Sequence, residues 1–291
     1  MENNTTYSRI IAGTMTWGSW GKQHPKKEMI ALMHYCTELN ITTFDHADIY
    51  GGYTTEAQFG NAFEDSGISR ESIQLITKCG IQMDAEARKN KIKHYNYTKD
   101  YIVWSAEQSI KNLRADYLDF FLLHRPSPLL QIDEVAEAIA LLQEQGKIKD
   151  FGVSNFTPSQ IAQLDTAVGV RGNQVEFSLT ANEVMYDGTL DDMIQNKRMA
   201  MSWSPLGSYF KEENDQTRRI KSIMPDLLKK YNVTEDQLLL AWVLRHPATV
   251  RPVVGTATPQ RLSAAQESLQ IDLELEDWFA LLAASEGHEV P

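Results

Sequence analysis

Four polar side chains stand where short apolar runs end. The run Thr43-Phe44-Asp45-His46 is followed by Ile49-Tyr50, Thr77-Lys78 closes a second run, and Phe120-Phe121-Leu122-Leu123 leads into His124. Together they offer a carboxylate, a phenol, an ammonium and an imidazole. A free tyrosine, with a pKa of about 10, is a poor acid at neutral pH. A neighbouring Lys78 cation is expected to favour the phenolate and lower that pKa, with Asp45 holding the ammonium and His124 donating a hydrogen bond to a substrate oxygen. Such a set suits proton donation to a carbonyl. Singly, each has a plainer reading: Asp45 and Lys78 as a structural ion pair, Tyr50 as packing, His124 as a hydrogen-bonded core residue. Their convergence depends on the strands being neighbours in space. His46 falls on the opposite side of its strand by the period of two and reads as structural.

A second signal lies near the end of the chain. Val253-Val254-Gly255-Thr256-Ala257-Thr258-Pro259-Gln260-Arg261 reads as strand, short turn and helix start, where free amides and a first-turn guanidinium could hold a phosphate. A plain capped helix is the alternative. Another turn, Ser204-Pro205-Leu206-Gly207, follows Trp203, whose indole offers a face to a flat ring.

These groups must be carried by an alternating framework. Candidate strands at 9–12, 42–46, 73–78, 118–124, 149–153, 172–175, 200–204 and 250–254 alternate with helical spacing at 27–39, 55–63, 99–113, 133–145, 158–165, 190–195, 216–244 (in two pieces) and 258–269. Thr157-Pro158 and Thr258-Pro259 each read as an N-cap followed by a first-turn proline. Eight strand-and-helix units without a linker or composition break predict one domain over 1–291, an α/β chain folded as a (β/α)8 TIM barrel with its active groups on the loops after the strands. The rival, an open doubly wound sheet, needs a G-x-G-x-x-G turn that the sequence lacks. Three segments lie outside the repeat: 81–98, 206–215 and the tail 275–291. The first two are expected on the active face.

Composition removes other classes. The chain has 291 residues, 42% hydrophobic and 23% charged, with 28 Lys+Arg against 39 Asp+Glu and a formal charge of −11. That charge argues against nucleic acid and anionic membranes as partners. The opening MENNTTYSRI has neither a basic start nor an apolar stretch, and the apolar runs at 238–244 and 278–284 are too short to span a bilayer. Two cysteines, Cys36 and Cys79, fit a reducing cytoplasm. No H-E-x-x-H, C-x-x-C or G-x-S-x-G occurs, so no metal site or serine hydrolase is expected, and a glycosidase would need two opposed carboxylates at strand ends, where only Asp45 and Glu176 offer themselves. Within 84–93, Arg88, Lys89, Lys91 and Lys93 outnumber Asp84 and Glu86 and read as a solvated run, the alternative being attraction of an anionic substrate.

The ordered motifs Gly13-Thr14-Met15-Thr16-Trp17-Gly18, Phe44-Asp45-His46-Ala47-Asp48-Ile49-Tyr50-Gly51, Thr77-Lys78, Leu122-Leu123-His124-Arg125-Pro126, Gly152-Val153-Ser154-Asn155-Phe156, Trp203-Ser204-Pro205-Leu206-Gly207 and Gly255-Thr256 resemble the aldo-keto reductases from about residue 9 to 270. The 81–98 segment and the closing Glu289-Val290-Pro291 resemble a bacterial, largely uncharacterised branch. The resemblance implies reduction of a small aldehyde or ketone by NADPH (NADH being the other candidate) without a Rossmann fold. Tyr50 is then the proton donor, Asp45 and Lys78 its tuning pair, and His124 the group that orients the carbonyl. Ser154, Asn155 and Gln174 would hold the carboxamide, Trp203 would stack on the nicotinamide, and Gly13, Thr14, Met15 and Asp45 would line the cofactor, with the 204–207 turn beside it. Gly255, Thr256 and Arg261 would meet the adenosine phosphate. Trp17, Trp20, Tyr53, the 81–98 segment and the tail would wall the substrate pocket. Gly255, where many members carry Lys, and Ala264 and Ala265 imply a looser adenosine end. The alternative is an NADPH-binding regulatory or redox-sensing subunit with little turnover.

Overall fold

The computed structural model describes residues 7–290; Pro291 and the first six residues of the opening segment lie outside that range. In chain order its elements are β1 (Ile11–Gly13), α1 (Lys26–Glu38), β2 (Thr43–Asp45), α2 (Tyr50–Tyr53), α3 (Thr55–Ser66), β3 (Gln74–Cys79), β4 (Ile81–Gln82), β5 (His94–Tyr95), α4 (Lys99–Asn112), β6 (Leu118–Leu123) and α5 (Ile132–Glu144). There follow β7 (Ile148–Ser154), α6 (Pro158–Leu164), β8 (Gly172–Glu176), α7 (Thr189–Gln195), β9 (Met199–Trp203), α8 (Asp215–Tyr231), α9 (Glu235–Leu244), β10 (Arg251–Val254), α10 (Pro259–Glu267) and α11 (Leu275–Glu286). Eight strands close a parallel barrel in the order β1-β10-β9-β8-β7-β6-β3-β2, so each of the eight expected strands is a stave. The fold is a (β/α)8 barrel.

The period of two sorts each stave into an inner and an outer row. On β6, Phe120 and Leu122 face the interior with Ile11, Ile76, Met201 and Val253, while Phe121 and Leu123 join the layer under the helices. A Cβ on Gly152 would stand 2.5 Å from the Phe120 ring, so the small residue on β7 makes room for the large one on β6. Tyr7 joins this interior cluster, its phenol donating to the Asp119 carbonyl and to Asp150 Oδ2. The same parity carries the chemistry. Lys78 lies two residues beyond Ile76, His124 two beyond Leu122 and Trp203 two beyond Met201, so all three emerge inward at the carboxyl end of the barrel.

The helices show why the 3.6-residue period was readable. On α5 the buried residues Val135, Ala138, Ile139 and Leu142 form one stripe, and the helix packs against β7. Thr157 caps α6 with a full capping box. Thr258, expected to cap α10, makes no side-chain cap.

The three extra segments differ in character. Residues 81–98 form the short antiparallel β4–β5 hairpin. Segment 206–215 is tied into the core by Tyr209, which is fully buried and donates to Glu235 at 2.6 Å. Residues 275–286 of the tail are α11, which packs against α8 and α9 and reaches the loop after β8, where Ser285 Oγ donates to the Leu179 carbonyl. Trp278 stacks on Trp242 of α9 with ring centroids 4.8 Å apart, and each indole N–H donates to the other's carbonyl. Both cysteines are free and buried.

Candidate active site

The barrel mouth is organised around one buried cation. Lys78 Nζ donates to both oxygens of Asp45 at 2.7 Å, to the His46 carbonyl at 2.8 Å and to the Tyr50 phenol at 3.3 Å. Asp45 is held from the far side by Gln174 Nε2 at 2.8 Å. The His124 ring meets the Tyr50 ring edge-on, with centroids 6.2 Å apart. The four residues predicted to converge therefore do so.

Burial sets their protonation. The Tyr50 phenol is pushed above its ordinary value by burial, with Lys78 pulling the other way. This corrects the expected net lowering, because desolvating a phenolate outweighs one nearby ammonium. Tyr50 is accordingly a protonated donor at neutral pH. Burial also works against the Lys78 charge, but Asp45 and Tyr50 more than compensate and leave its pKa raised. Burial, Lys78, Arg125 and Lys93 hold His124 well below the usual histidine range, so its imidazole is neutral. His124 Nδ1 has no partner among the described residues. A neutral imidazole beside a protonated phenol can orient an oxygen, and the phenol is the neighbouring group that still carries a proton to give, with Lys78 placed to stabilise the phenolate it leaves.

A tight turn aims Tyr50. Gly51 and Gly52 have φ of 62° and 65°, and a Cβ on Gly51 would stand 2.5 Å from Thr55 Oγ1. Tyr53 follows at φ 71°, a strained value for a large side chain, and its hydroxyl accepts from the Met83 amide at 3.0 Å.

Around the rest of the mouth the expected carboxamide-binding residues form a linked row. Trp203 Nε1 donates to Asn155 Oδ1 and Asn155 Nδ2 to Ser154 Oγ, both at 2.8 Å. Ser154 Oγ donates to the Gln174 carbonyl at 2.8 Å. Asn155 and Ser204 take φ of 62° and 50° just past their strands, a concentration of backbone strain at the site. The 204–207 turn closes with the Gly207 amide on the Ser204 carbonyl at 2.7 Å, Pro205 and Leu206 between them.

Several expected residues stand apart. Trp17 is 0% exposed and packs against Phe44 and Phe59, so it is core and not pocket wall. Its buried Nε1 has no partner among the described residues. Trp20 is 43% exposed, with its ring 6.2 Å from that of Tyr50. Thr14 is buried, its hydroxyl donating to the Asp45 carbonyl and sharing a 2.8 Å bond with His46 Nδ1; Met15 stays 43% exposed and Gly13 ends β1. His46 is structural as expected, its pKa driven by burial and Lys78 down to about 3. Sequence reasoning missed the Gln174–Asp45 bond and Tyr97, whose hydroxyl fixes the Arg125 backbone through both its amide and its carbonyl. A buried tyrosine in an irregular segment gives no periodic signal.

A nucleotide phosphate is expected at the start of α10. Gly255 opens onto clear space, where an added Cβ would meet nothing within 4 Å. The α10 start has no side-chain cap, and the Thr256 hydroxyl accepts from the Thr258 amide. Arg261 is exposed and has no ion pair among the described residues. With the Thr258 amide on Thr256 Oγ1, no N–H on Pro259 and the Arg261 amide on the Thr258 carbonyl, the Gln260 amide and the unengaged Arg261 guanidinium are the groups that fit an anion there. Among the described residues no group of three or more His, Cys, Asp and Glu could hold a metal, and no helix is long and apolar enough to cross a membrane.

A parallel eight-stranded barrel with a buried Tyr-Lys-Asp cluster and a neutral histidine at its carboxyl end defines a class of carbonyl-handling oxidoreductase. Residues 9–286 match the model of the aldo/keto reductase family, and the chain belongs to that family. It is similar to the uncharacterised oxidoreductase YcsN of Bacillus subtilis (40% identical; 98% of this chain, 96% of the relative) and to the oxidoreductase YdhF of Escherichia coli (37%; 98% and 96%). It is also similar to a 6-dehydroglucose reductase of Agrobacterium fabrum (35%; 97% and 96%). Among solved structures, the glycerol dehydrogenase of Gluconobacter oxydans shares the fold with a TM-score of 0.86 at 20% identity, covering 99% of this chain and 95% of that one. The protein is an NAD(P)H-dependent oxidoreductase.

Proposed function

We propose that this barrel, one domain over its whole length, reduces an aldehyde or ketone with NADPH, with Tyr50 delivering the proton. The carrying observation is the Tyr50 phenol 3.3 Å from a Lys78 ammonium that both Asp45 oxygens hold in place. A bound reduced nicotinamide supplies the hydride to the carbonyl carbon. His124, neutral and buried, orients the carbonyl oxygen toward the Tyr50 hydroxyl. Tyr50 then gives up its proton to that oxygen, and Lys78 stabilises the phenolate left behind until solvent reprotonates it. Because burial alone disfavours the phenolate, the ammonium acts where charge develops rather than before it.

Ser154, Asn155 and Gln174 are the groups we assign to the nicotinamide carboxamide, with Trp203 against the ring. Arg261, Thr256 and the α10 start are assigned to the adenosine phosphate. The guanidinium supports NADPH over NADH, since a 2′-phosphate is matched by a planar cation. The acidic formal charge makes these local groups decisive for an anionic cofactor. The two free, buried cysteines support a cytoplasmic setting. The Agrobacterium fabrum relative makes an aldehyde-bearing hexose the first substrate to test.

A panel of small aldehydes, quinones and 6-dehydroglucose, followed by loss of reduced-nicotinamide absorbance with NADPH and NADH side by side, tests the reading. Oxidation of NADPH by at least one carbonyl supports it. Tight NADPH binding without turnover on any would favour the regulatory subunit instead. Arg261→Ala is expected to weaken NADPH binding about tenfold, close to 1.4 kcal/mol, with little effect on NADH; equal loss for both cofactors would contradict the assignment.

A further inference from the structure

The run at 84–93 reads in the sequence as a solvated stretch of charge, and one of its members is nothing of the kind. The Arg88 guanidinium lies 3.8 Å from the Tyr53 ring centroid and 4.8 Å from that of Trp104. Its Nη1 donates to the Tyr101 hydroxyl at 3.1 Å and pairs with Asp48 Oδ2 at 3.5 Å. Three elements are thereby gathered by one side chain: the turn that carries Tyr50, helix α4 and the 81–98 hairpin.

Two of its partners bracket the proton donor. Asp48 precedes Tyr50 by two residues, its amide donating to the Lys78 carbonyl at 3.0 Å, and Tyr53 follows by three and accepts from the Met83 amide. A cleft of about 440 Å³ opens beside this turn, with Ser19, Gly51, Gly52 and Thr54 on one side and residues 85–87 on the other. The 85–87 wall joins the barrel next to Arg88. Ala85 and Arg88 also exchange backbone hydrogen bonds, so the guanidinium fixes the wall through its own main chain.

We propose that Arg88 is a positioning residue for carbonyl reduction: it latches the 81–98 segment onto the Asp48–Tyr53 turn that carries Tyr50, and so fixes the wall facing that turn. The inference rests on the carbonyl-reductase reading. A guanidinium suits the task because it can lie on aromatic faces while donating sideways in its plane, which an ammonium cannot do.

The latch carries its own pH dependence. Asp48 is fully enclosed: Glu56 of α3, Tyr101 and Ser105 of α4, Cys79 of β3 and Arg88 all face it, and Oδ1 has no partner among the described residues. Burial, with Glu56 adding to it, pushes its pKa up to about 7 against the pull of Arg88 and Tyr101. Above that value the carboxylate is charged and holds the guanidinium; below it the carboxyl takes a proton and the ion pair is lost.

The test uses Arg88→Met and Arg88→Lys with NADPH and 4-nitrobenzaldehyde, alongside digestion by a lysine-specific protease at Lys89, Lys91 and Lys93. The expected result for Arg88→Met is KM raised about tenfold with kcat within about twofold, faster cleavage at the three lysines and a melting temperature lowered by the loss of the cation beside Asp48. Arg88→Lys falls between parent and Met. The parent's KM and cleavage rate rise as the pH falls through about 7, and those of Arg88→Met do not. Unchanged KM and cleavage overturn the proposal, as does a joint fall of kcat and melting temperature, which marks a general folding role. If the parent reduces no carbonyl the functional reading fails, while the protease arm still decides whether the latch exists.

Discussion

The ammonium of Lys78 is bound by both carboxylate oxygens of Asp45, at 2.7 Å each, with 1% and 3% of the two side chains exposed. Two charges withdrawn this far from water are tolerable only together. Lys78→Met therefore leaves a buried carboxylate with Gln174 as its remaining side-chain donor and should cost about 3–5 kcal/mol of stability. Denaturant unfolding measures it. Adding Asp45→Asn to Lys78→Met should restore part of the loss, since the pair is coupled; a single variant as stable as the parent would show that the pair contributes nothing.

Acid pH should destabilise the fold through its buried histidines. His46 has its pKa pushed down to about 3 and His124 is also depressed, so both stay neutral while folded. The unfolded chain binds their protons below about pH 6.5. Their contribution is present above that value and is lost as the pH falls toward the folded pKa values. The same shift predicts that kcat/KM shows no limb near pH 6.5 arising from His124. A limb at that pH that disappears in His124→Asn would mean the imidazole is charged in the working enzyme.

Trp17 and Trp20 lie three residues apart and should behave as opposites. Trp17→Ala empties a site walled by Phe44 and Phe59 and is expected to cost about 3–5 kcal/mol with KM unchanged in the folded fraction. Trp20→Ala should leave the melting temperature alone and raise KM. Thermal melts and steady-state kinetics on both variants separate the roles, and a raised KM with full stability in Trp17→Ala would return that residue to the pocket.

The barrel was legible because its rules are periodic. Alternation on β6 and the stripe Val135, Ala138, Ile139, Leu142 on α5 are local patterns with one geometric meaning. The site was legible for a related reason: Asp45 ends β2, Lys78 is the last residue but one of β3 and His124 directly follows β6, and closing the barrel brings strand ends together. What could not be read depends on contacts between irregular segments. Trp17 and Trp20 share one loop, and only the space beneath it decides which turns inward. Arg88 looked like its neighbours Lys89 and Lys91 because its partners Asp48 and Tyr101 lie 40 and 13 residues away in sequence. The direction of the Tyr50 shift was likewise hidden, since spacing reveals a nearby cation but not the depth of burial that outweighs it.

The central claim is that the Tyr50 hydroxyl supplies the proton. The most direct measurement is the turnover of Tyr50→Phe with NADPH and an aldehyde that the parent reduces, paired with a fluorescence titration of NADPH binding. Loss of turnover by about a hundred- to ten-thousand-fold, with NADPH affinity unchanged, is the predicted result. Turnover near that of the parent would contradict the account and move the proton donor to another group.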